Sequence, residues 1–151
     1  MKRKDRERDS EFAKNVIAAC EYATFSTTTP DGSPYSVAIS PVLINDVIYF
    51  HCALHGQKLD NIQNNPNVCI SAVTGTKVDS GMFTMRYQSA VITGTASMTR
   101  DVAEKTLALQ KICKKYCPNN PHVMEKITQD LSRTGICKIT ISSITGKENP
   151  M

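Results

Sequence analysis

The sequence predicts a mainly β protein: a small six-stranded antiparallel β-barrel, with flanking α-helices inserted at the turns. Three observations carry this. Short runs of β-branched and aromatic residues recur along the chain, each bounded by Gly, Pro, Asn or Asp. Two longer stretches instead place apolar residues at helical spacing behind a capping Ser or Asp. The 151 residues, 40% hydrophobic and 21% charged, suit one globular domain (1–151) that needs no disulfides.

The elements follow in order. Residues 2–9 hold five basic and three acidic side chains, a short mixed-charge arm expected to be solvated or packed on a neighbour. Residues 10–22 read as a helix that Asp9 or Ser10 can cap, with Phe12, Val16, Ile17, Ala19 and Cys20 on one face. Ala23 to Thr29 reads as a strand, Pro30-Asp31-Gly32-Ser33 as a turn, and Pro34 to Ile44 as the returning strand. Asn45-Asp46 turns the chain into a third strand, Val47 to His51, and these three are expected to form an antiparallel meander. Lys58 to Asn64 predicts a short helix with Leu59 and Ile62 inward, closed by Asn65-Pro66. Val68 to Val73 is the fourth strand and residues 75–81 a loop. Met82 to Met98 is a long fifth strand, with Gly94 as its bend or bulge. Asp101 caps a helix reaching about Tyr116, with Val102, Leu107, Leu109 and Ile112 apolar. Pro118 to Pro121 breaks the chain, a further helix covers His122 to Leu131, and Ile136 to Ile144 is the sixth strand.

Composition excludes several functions. The seven glycines fit neither G-x-G-x-x-G nor G-x-x-x-x-G-K-[ST], so neither phosphate-binding signature is present. No apolar run approaches the roughly 20 residues of a membrane span. Met1-Lys2-Arg3-Lys4-Asp5 leads into no apolar stretch, so a cytoplasmic address is expected. Half of the +4 net charge sits in the arm, which argues against nucleic-acid binding. The six cysteines form no C-x-x-C pair and read as reduced thiols. Cys113 and Cys117 share a helix face near His122, but a fourth ligand is lacking and Pro118 ends the helix, so no metal site is expected.

The chemistry concentrates between Tyr49 and Val68. A strand ends at His51, a Gly-containing loop follows, and Lys58 lands on the first turn of a short helix. A cation beside free backbone N–H groups at a helix N-terminus is competent to bind phosphate. A solvated first-turn lysine has the same local signature, and the residues alone leave both readings open.

The stretch resembles the flavin mononucleotide (FMN) binding split barrels of the pyridoxamine 5′-phosphate oxidase-like superfamily, in particular the nitroimidazole-resistance branch. The resemblance rests on Lys2-Arg3-Lys4-Asp5-Arg6-Glu7, then Asp31-Gly32-Ser33-Pro34-Tyr35, then Tyr49-Phe50-His51-x-Ala53-x-x-Gly56-x-Lys58. Asn65-Pro66-x-Val68 and Tyr87-x-Ser89-x-Val91-x-x-Gly94-x-Ala96 follow in order, so that the motifs span residues 1–98.

The resemblance implies a split barrel and a homodimer with two flavin sites at its interface. Lys58 would contact the FMN phosphate, with Gln57 beside it where oxidase relatives carry Arg. The strand Val37 to Val42 would line the ring edge through its backbone, with Ser40 offering a hydroxyl. His51 and Cys52 would face the phosphate and ribityl side. Ser89 would reach the cofactor from the fifth strand, where oxidase relatives have Gln. Val42 and Gln57 stand where the oxidase has cations, and its C-terminal substrate segment is not recognisable, so pyridoxamine phosphate oxidation is not implied. His51 is either a hydrogen-bonded strand-end residue or the catalytic side chain that gives a proton to a reducing substrate. Tyr35 and Tyr87 either pack on the ring or fill the barrel, and His55 is expected to be exposed. The expected activity is transfer of electrons from a reduced nicotinamide donor to a small acceptor such as a nitroaromatic. The competing class is a non-catalytic flavin- or haem-binding split barrel.

Overall fold

The computed structural model describes residues 3–150; Lys2 of the predicted arm lies outside them. The chain forms strands β1 (Glu7–Arg8), β2 (Ala23–Thr28), β3 (Pro34–Ile39), β4 (Val42–Ile44), β5 (Val47–Cys52), β6 (Asn67–Asp79), β7 (Thr84–Met98) and β8 (Gly135–Asn149). Helices α1 (Ser10–Ala19), α2 (Gln57–Asn64), α3 (Val102–Tyr116) and α4 (Val123–Asp130) are inserted between them. All strands belong to one antiparallel sheet of order β3-β2-β6-β7-β8-β5-β4, with β1 added on β8.

The mainly β class with flanking helices is as expected, but among the described residues the strands number eight, not six. The predicted strand Pro34 to Ile44 is two strands, broken at Ser40-Pro41. Proline has no N–H to give a ladder, so pairing stops there. The expected three-stranded meander is therefore absent. β3 pairs with β2, whereas β4 pairs with β5 at the other end of the sheet path. Lys115 Nζ and Tyr116 OH hold this break from α3, both donating to Pro41 O at 2.8 and 3.0 Å.

Of the expected loop 75–81 only Ser80 and Gly81 turn: β6 runs on to Asp79 through a register shift between Thr74 and Lys77, where Gly75 has φ +61°. The polar composition of Thr74-Gly75-Thr76-Lys77 hides a strand whose hydrogen bonds are supplied by β7. The arm is not free either, since Glu7 and Arg8 pair with Lys147 and Gly146 of β8. Gly94 does mark a register shift. A Cβ there would lie 2.8 Å from Ile139 Cγ2 and closer still to Thr140 O, so only glycine permits the approach of β7 to β8.

Two cores position the rest. Inside the barrel, α1 and the inward residues of six strands bury Ile17, Phe25, Ile48, Phe50, Ile70 and Ile92 among others. Outside it, α3 and α4 cover Val42, Tyr49 and Ile136 with Ala108, Leu109, Ile112 and Ile127. α3 is capped as expected, Asp101 Oδ1 accepting from Glu104 N at 2.7 Å. Val102 and Leu107, expected on its buried face, are exposed.

Candidate functional site

Strand alternation divides the expected site residues. Ile48 and Phe50 of β5 point into the barrel, and Cys52 packs against the same core. Tyr49 points to the α3–α4 side, and His51 follows it. Cys52 and His51 are thus neighbours in sequence on opposite faces of one strand.

On the Cys52 side, Gly56 caps α2 at φ +137° with no side-chain cap. Its carbonyl accepts from Leu59 N at 2.8 Å and Asp60 N at 3.2 Å, as the helix requires. The amides of Gln57 and Lys58 precede that first bonded turn and have no intrahelical acceptor. Lys58 is half-buried and makes no salt bridge with the described residues. Burial pushes the Cys52 thiol up, and the charge of Lys58 partly offsets this. The Cys137 thiol beside them is pushed up to about 12, again by burial first. Both thiols are therefore neutral at physiological pH. Uncapped amides and an unpaired ammonium in one place fit a phosphate monoester.

Gln57 is exposed and bonded away from this cradle: its Nε2 donates to Asn61 Oδ1 at 2.8 Å. Asn61, fully buried, donates in turn to Thr27 Oγ1 on β2 at 2.9 Å. Asn61 was not signalled by the sequence, where it reads as one more polar residue in Asp60-Asn61-Ile62-Gln63-Asn64. Its burial at the i+4 position from Gln57 is the only trace.

On the other side of β5, His51 and Ser40 line a cavity of about 340 Å3 with Leu109, Ile112, Tyr116 and Ile127. The Tyr116 phenol is pushed up to about 12 by burial and stays protonated. Lys126, the cavity's fixed cation, pairs with Asp130 at 3.0 Å. Val42 is 1% exposed, so its side chain belongs to the core beneath α3.

Ser89 is elsewhere. It stands opposite Val73 and Lys147 on the outward face of β7, its hydroxyl donating to Lys147 O at 3.4 Å. Met98, at the far end of the same strand, is the residue that reaches Gly135 beside Cys52. Nine residues of strand separate the two, roughly 30 Å. One chain brings Cys52 and Lys58 together on one face and His51 with Ser40 on another, and it leaves the Gln57 side chain turned away and Ser89 apart from both. No group of three or more metal-ligating side chains exists among the described residues, and Cys113, Cys117 and His122 form none. No described helix is long and apolar enough to cross a membrane.

Comparison with known proteins places this architecture. The structure is similar to that of a candidate 5-nitroimidazole antibiotic resistance protein from Bacteroides thetaiotaomicron (TM-score 0.77, 26% identity, 93% of this chain and 84% of that one). It is also similar to an FAD- and heme-binding protein from Mycobacterium smegmatis (TM-score 0.80, 17% identity, 97% and 74%). A flavocytochrome from Azotobacter vinelandii has the same fold (TM-score 0.78, 17% identity, 96% and 70%). No curated protein matches the sequence. The family model described as pyridoxamine 5′-phosphate oxidase matches residues 9–148, which takes in β2 to β7 and all but the last residue of β8, and the chain therefore belongs to the pyridoxamine 5′-phosphate oxidase-like family.

Proposed function

We propose that the protein is a homodimeric FMN-binding flavoprotein, an oxidoreductase that accepts electrons from a reduced nicotinamide and passes them to a small acceptor such as a nitroaromatic. The observation that carries this reading is the uncapped start of α2, where backbone amides and the unpaired Lys58 ammonium converge beside the end of β5. Among the described residues this is the cradle that joins uncapped amides to an unpaired cation, which suits the single phosphate of FMN. Bound there, the flavin would supply the redox chemistry, and the protein supplies position and electrostatics.

The side chains then have separate tasks. Lys58 and the first-turn amides hold the phosphate. His51 presents its imidazole to the α3–α4 cavity, where it can deliver a proton to a bound acceptor. Leu109, Ile112 and Ile127 give that cavity an apolar wall. Its one fixed cation, Lys126, is already paired with Asp130, so the cavity suits an uncharged aromatic ring better than a phosphorylated amine. Ser89 lies too far from Lys58 to share a site within one chain, and this favours a site completed by the Ser89 of a second copy. Val73 and Val91, nearly half exposed on the same outward face, would be covered by that contact.

The test is spectroscopic. Flavin absorbance should survive desalting, and Lys58→Ala should weaken FMN binding about ten- to a hundredfold, the worth of one charge-assisted contact. An unchanged dissociation constant would remove Lys58 from the site. His51→Ala should keep the flavin and lower turnover with a nitroaromatic by about 100-fold or more if the imidazole is the general acid. Similarity to an FAD- and heme-binding protein favours a second reading, a cofactor carrier. A Soret band, or bound flavin that no nicotinamide reduces, would select it.

A further inference from the structure

The N-terminal arm and the end of β8 assemble a cationic site that the flavin reading does not use. β1 pairs with β8 so that Glu7 stands opposite Lys147, and Ser89 of β7 stands opposite Lys147 from the other side. The Lys147 amino group lies 5.4 Å over the ring of Tyr87, two residues from Ser89 on the same face of β7. Lys147 first, and Arg6 after it, hold the Tyr87 phenol below its ordinary range. Lys147 thus stands over the phenol, and Arg6, one residue before the β1–β8 pairing, is near enough to bear on it.

The other described cations of the arm are committed to carboxylates: Arg3 to Asp5 at 2.6 Å, Lys4 to Glu7 at 2.9 Å and Arg8 to Glu148 at 2.8 Å. Arg6 has only the already paired Asp5, at 3.9 Å. Lys147 has no carboxylate within salt-bridge distance among the described residues. Charge is left over here, at the opposite end of β7 from Lys58.

We propose that Arg6, Lys147 and Tyr87 bind the diphosphate of the reduced nicotinamide donor. The assignment rests on the dinucleotide-donor reading above. A diphosphate presents several anionic oxygens along one edge. The Arg6 guanidinium and Lys147 ammonium supply charge, and the Tyr87 hydroxyl donates between them. The flavin phosphate is accounted for by Lys58, so a second anion site calls for a second phosphate-bearing molecule. In a dimer whose Ser89 completes the partner's flavin site, the patch of one protomer borders the flavin of the other. The arm then acquires a function: pairing with β8 fixes Arg6 at the donor site.

Isothermal titration with ADP-ribose, which carries the diphosphate and no nicotinamide, tests this on the full-length protein. Wild type should bind, and Arg6→Gln and Lys147→Met should each weaken binding at least tenfold, with a parallel rise in KM for the dinucleotide. Arg6→Gln changes only the arm, so the barrel is not at stake, and retained flavin absorbance verifies each variant. Equal ADP-ribose affinity in wild type and both variants overturns the proposal. Inorganic pyrophosphate is the second probe: binding as tight as ADP-ribose would mark a general anion patch and overturn the donor assignment. Variant-sensitive ADP-ribose binding by a protein that takes up no flavin would keep the patch and refute the flavin reading instead.

Discussion

Replacing Asn61 with Ala tests whether the phosphate cradle is held from inside the barrel. α2 has eight residues, too few to be stable alone, so its position depends on what its inner face touches. That face offers Leu59 and Ile62 to the core and Asn61 to β2. Truncation at Asn61 removes the bond to Thr27 Oγ1, leaving a hydroxyl 4% exposed with only its 3.4 Å bond to Tyr35 O. An undersupplied buried polar group costs about 1–3 kcal/mol, and the small void adds about 1 kcal/mol. The bond from Gln57 is lost as well, but Gln57 is exposed and water replaces it. A loss of about 2–4 kcal/mol lowers Tm by roughly 5–15 °C in a chain of this length. Calorimetry of wild type and Asn61→Ala measures it directly. FMN affinity should fall with it by about three- to tenfold, because Lys58 and the first-turn amides lose their fixed position. A Tm within about 1 °C of wild type would refute the argument that the Asn61–Thr27 bond fixes α2.

Further outcomes follow from other contacts. Glu104 accepts from Thr99 Oγ1, from Lys138 Nζ at 3.1 Å and from Tyr49 OH at 2.9 Å, and these hold its carboxyl below the ordinary range, Thr99 foremost. That stability is complete above the unfolded pKa of about 4.5 and is lost as pH falls through the lower folded value, so Glu104→Gln should flatten the acid limb of Tm against pH. Tyr49 is pushed up to about 12, by burial first and then by Glu104, so its contribution holds below the ordinary tyrosine pKa and is lost as pH climbs from about 10 through about 12. Tyr49→Phe should remove that alkaline loss. Gly94→Val should cost about 3 kcal/mol or more, or abolish soluble expression, since the added atoms meet the backbone at Thr140. Light scattering at micromolar concentration should give twice the chain mass, and a stable monomer would exclude a site shared between copies.

What the sequence made legible follows from how local the signals are. Asp101 before a helical run, Gly94 within a long strand and Pro30-Asp31-Gly32-Ser33 between two strands are short-range features, and each lies where its local chemistry places it. Pairing between distant segments was not legible. β6 continues past Val73 because β7 supplies Gln88, Arg86 and Met85 as partners, and nothing in Gly75-Thr76-Lys77 announces that. β8 reaches Asn149 for the same reason, since β7 on one side and β1 at its end saturate its backbone. The exposure of Val102 and Leu107 escaped the helical pattern because α3 packs on the outer side of the barrel through the narrower stripe Ala108, Leu109 and Ile112.

The break at Ser40-Pro41 has the largest consequence for the site. An unbroken strand from Pro34 to Ile44 would keep β3 and β4 on one edge. Breaking it sends β4 to pair with β5, and the helices then have an outer face of β4, β5 and β8 to cover. That cover makes the cavity at His51, while the inner face of the same strand carries Cys52 toward Lys58. Lys115 depends on the same point. Burial lowers its pKa, yet its amino group is satisfied by the carbonyls of Pro41 and Ile17 with no carboxylate. Lys115→Met removes the donor to Pro41 O while leaving that of Tyr116 in place. If Lys115 braces the break, the variant should lose stability and should also change the access of His51 to an alkylating reagent, because the Ser40 wall of its cavity is released. Lost stability with unaltered His51 reactivity would mean that Tyr116 alone sets the cavity wall.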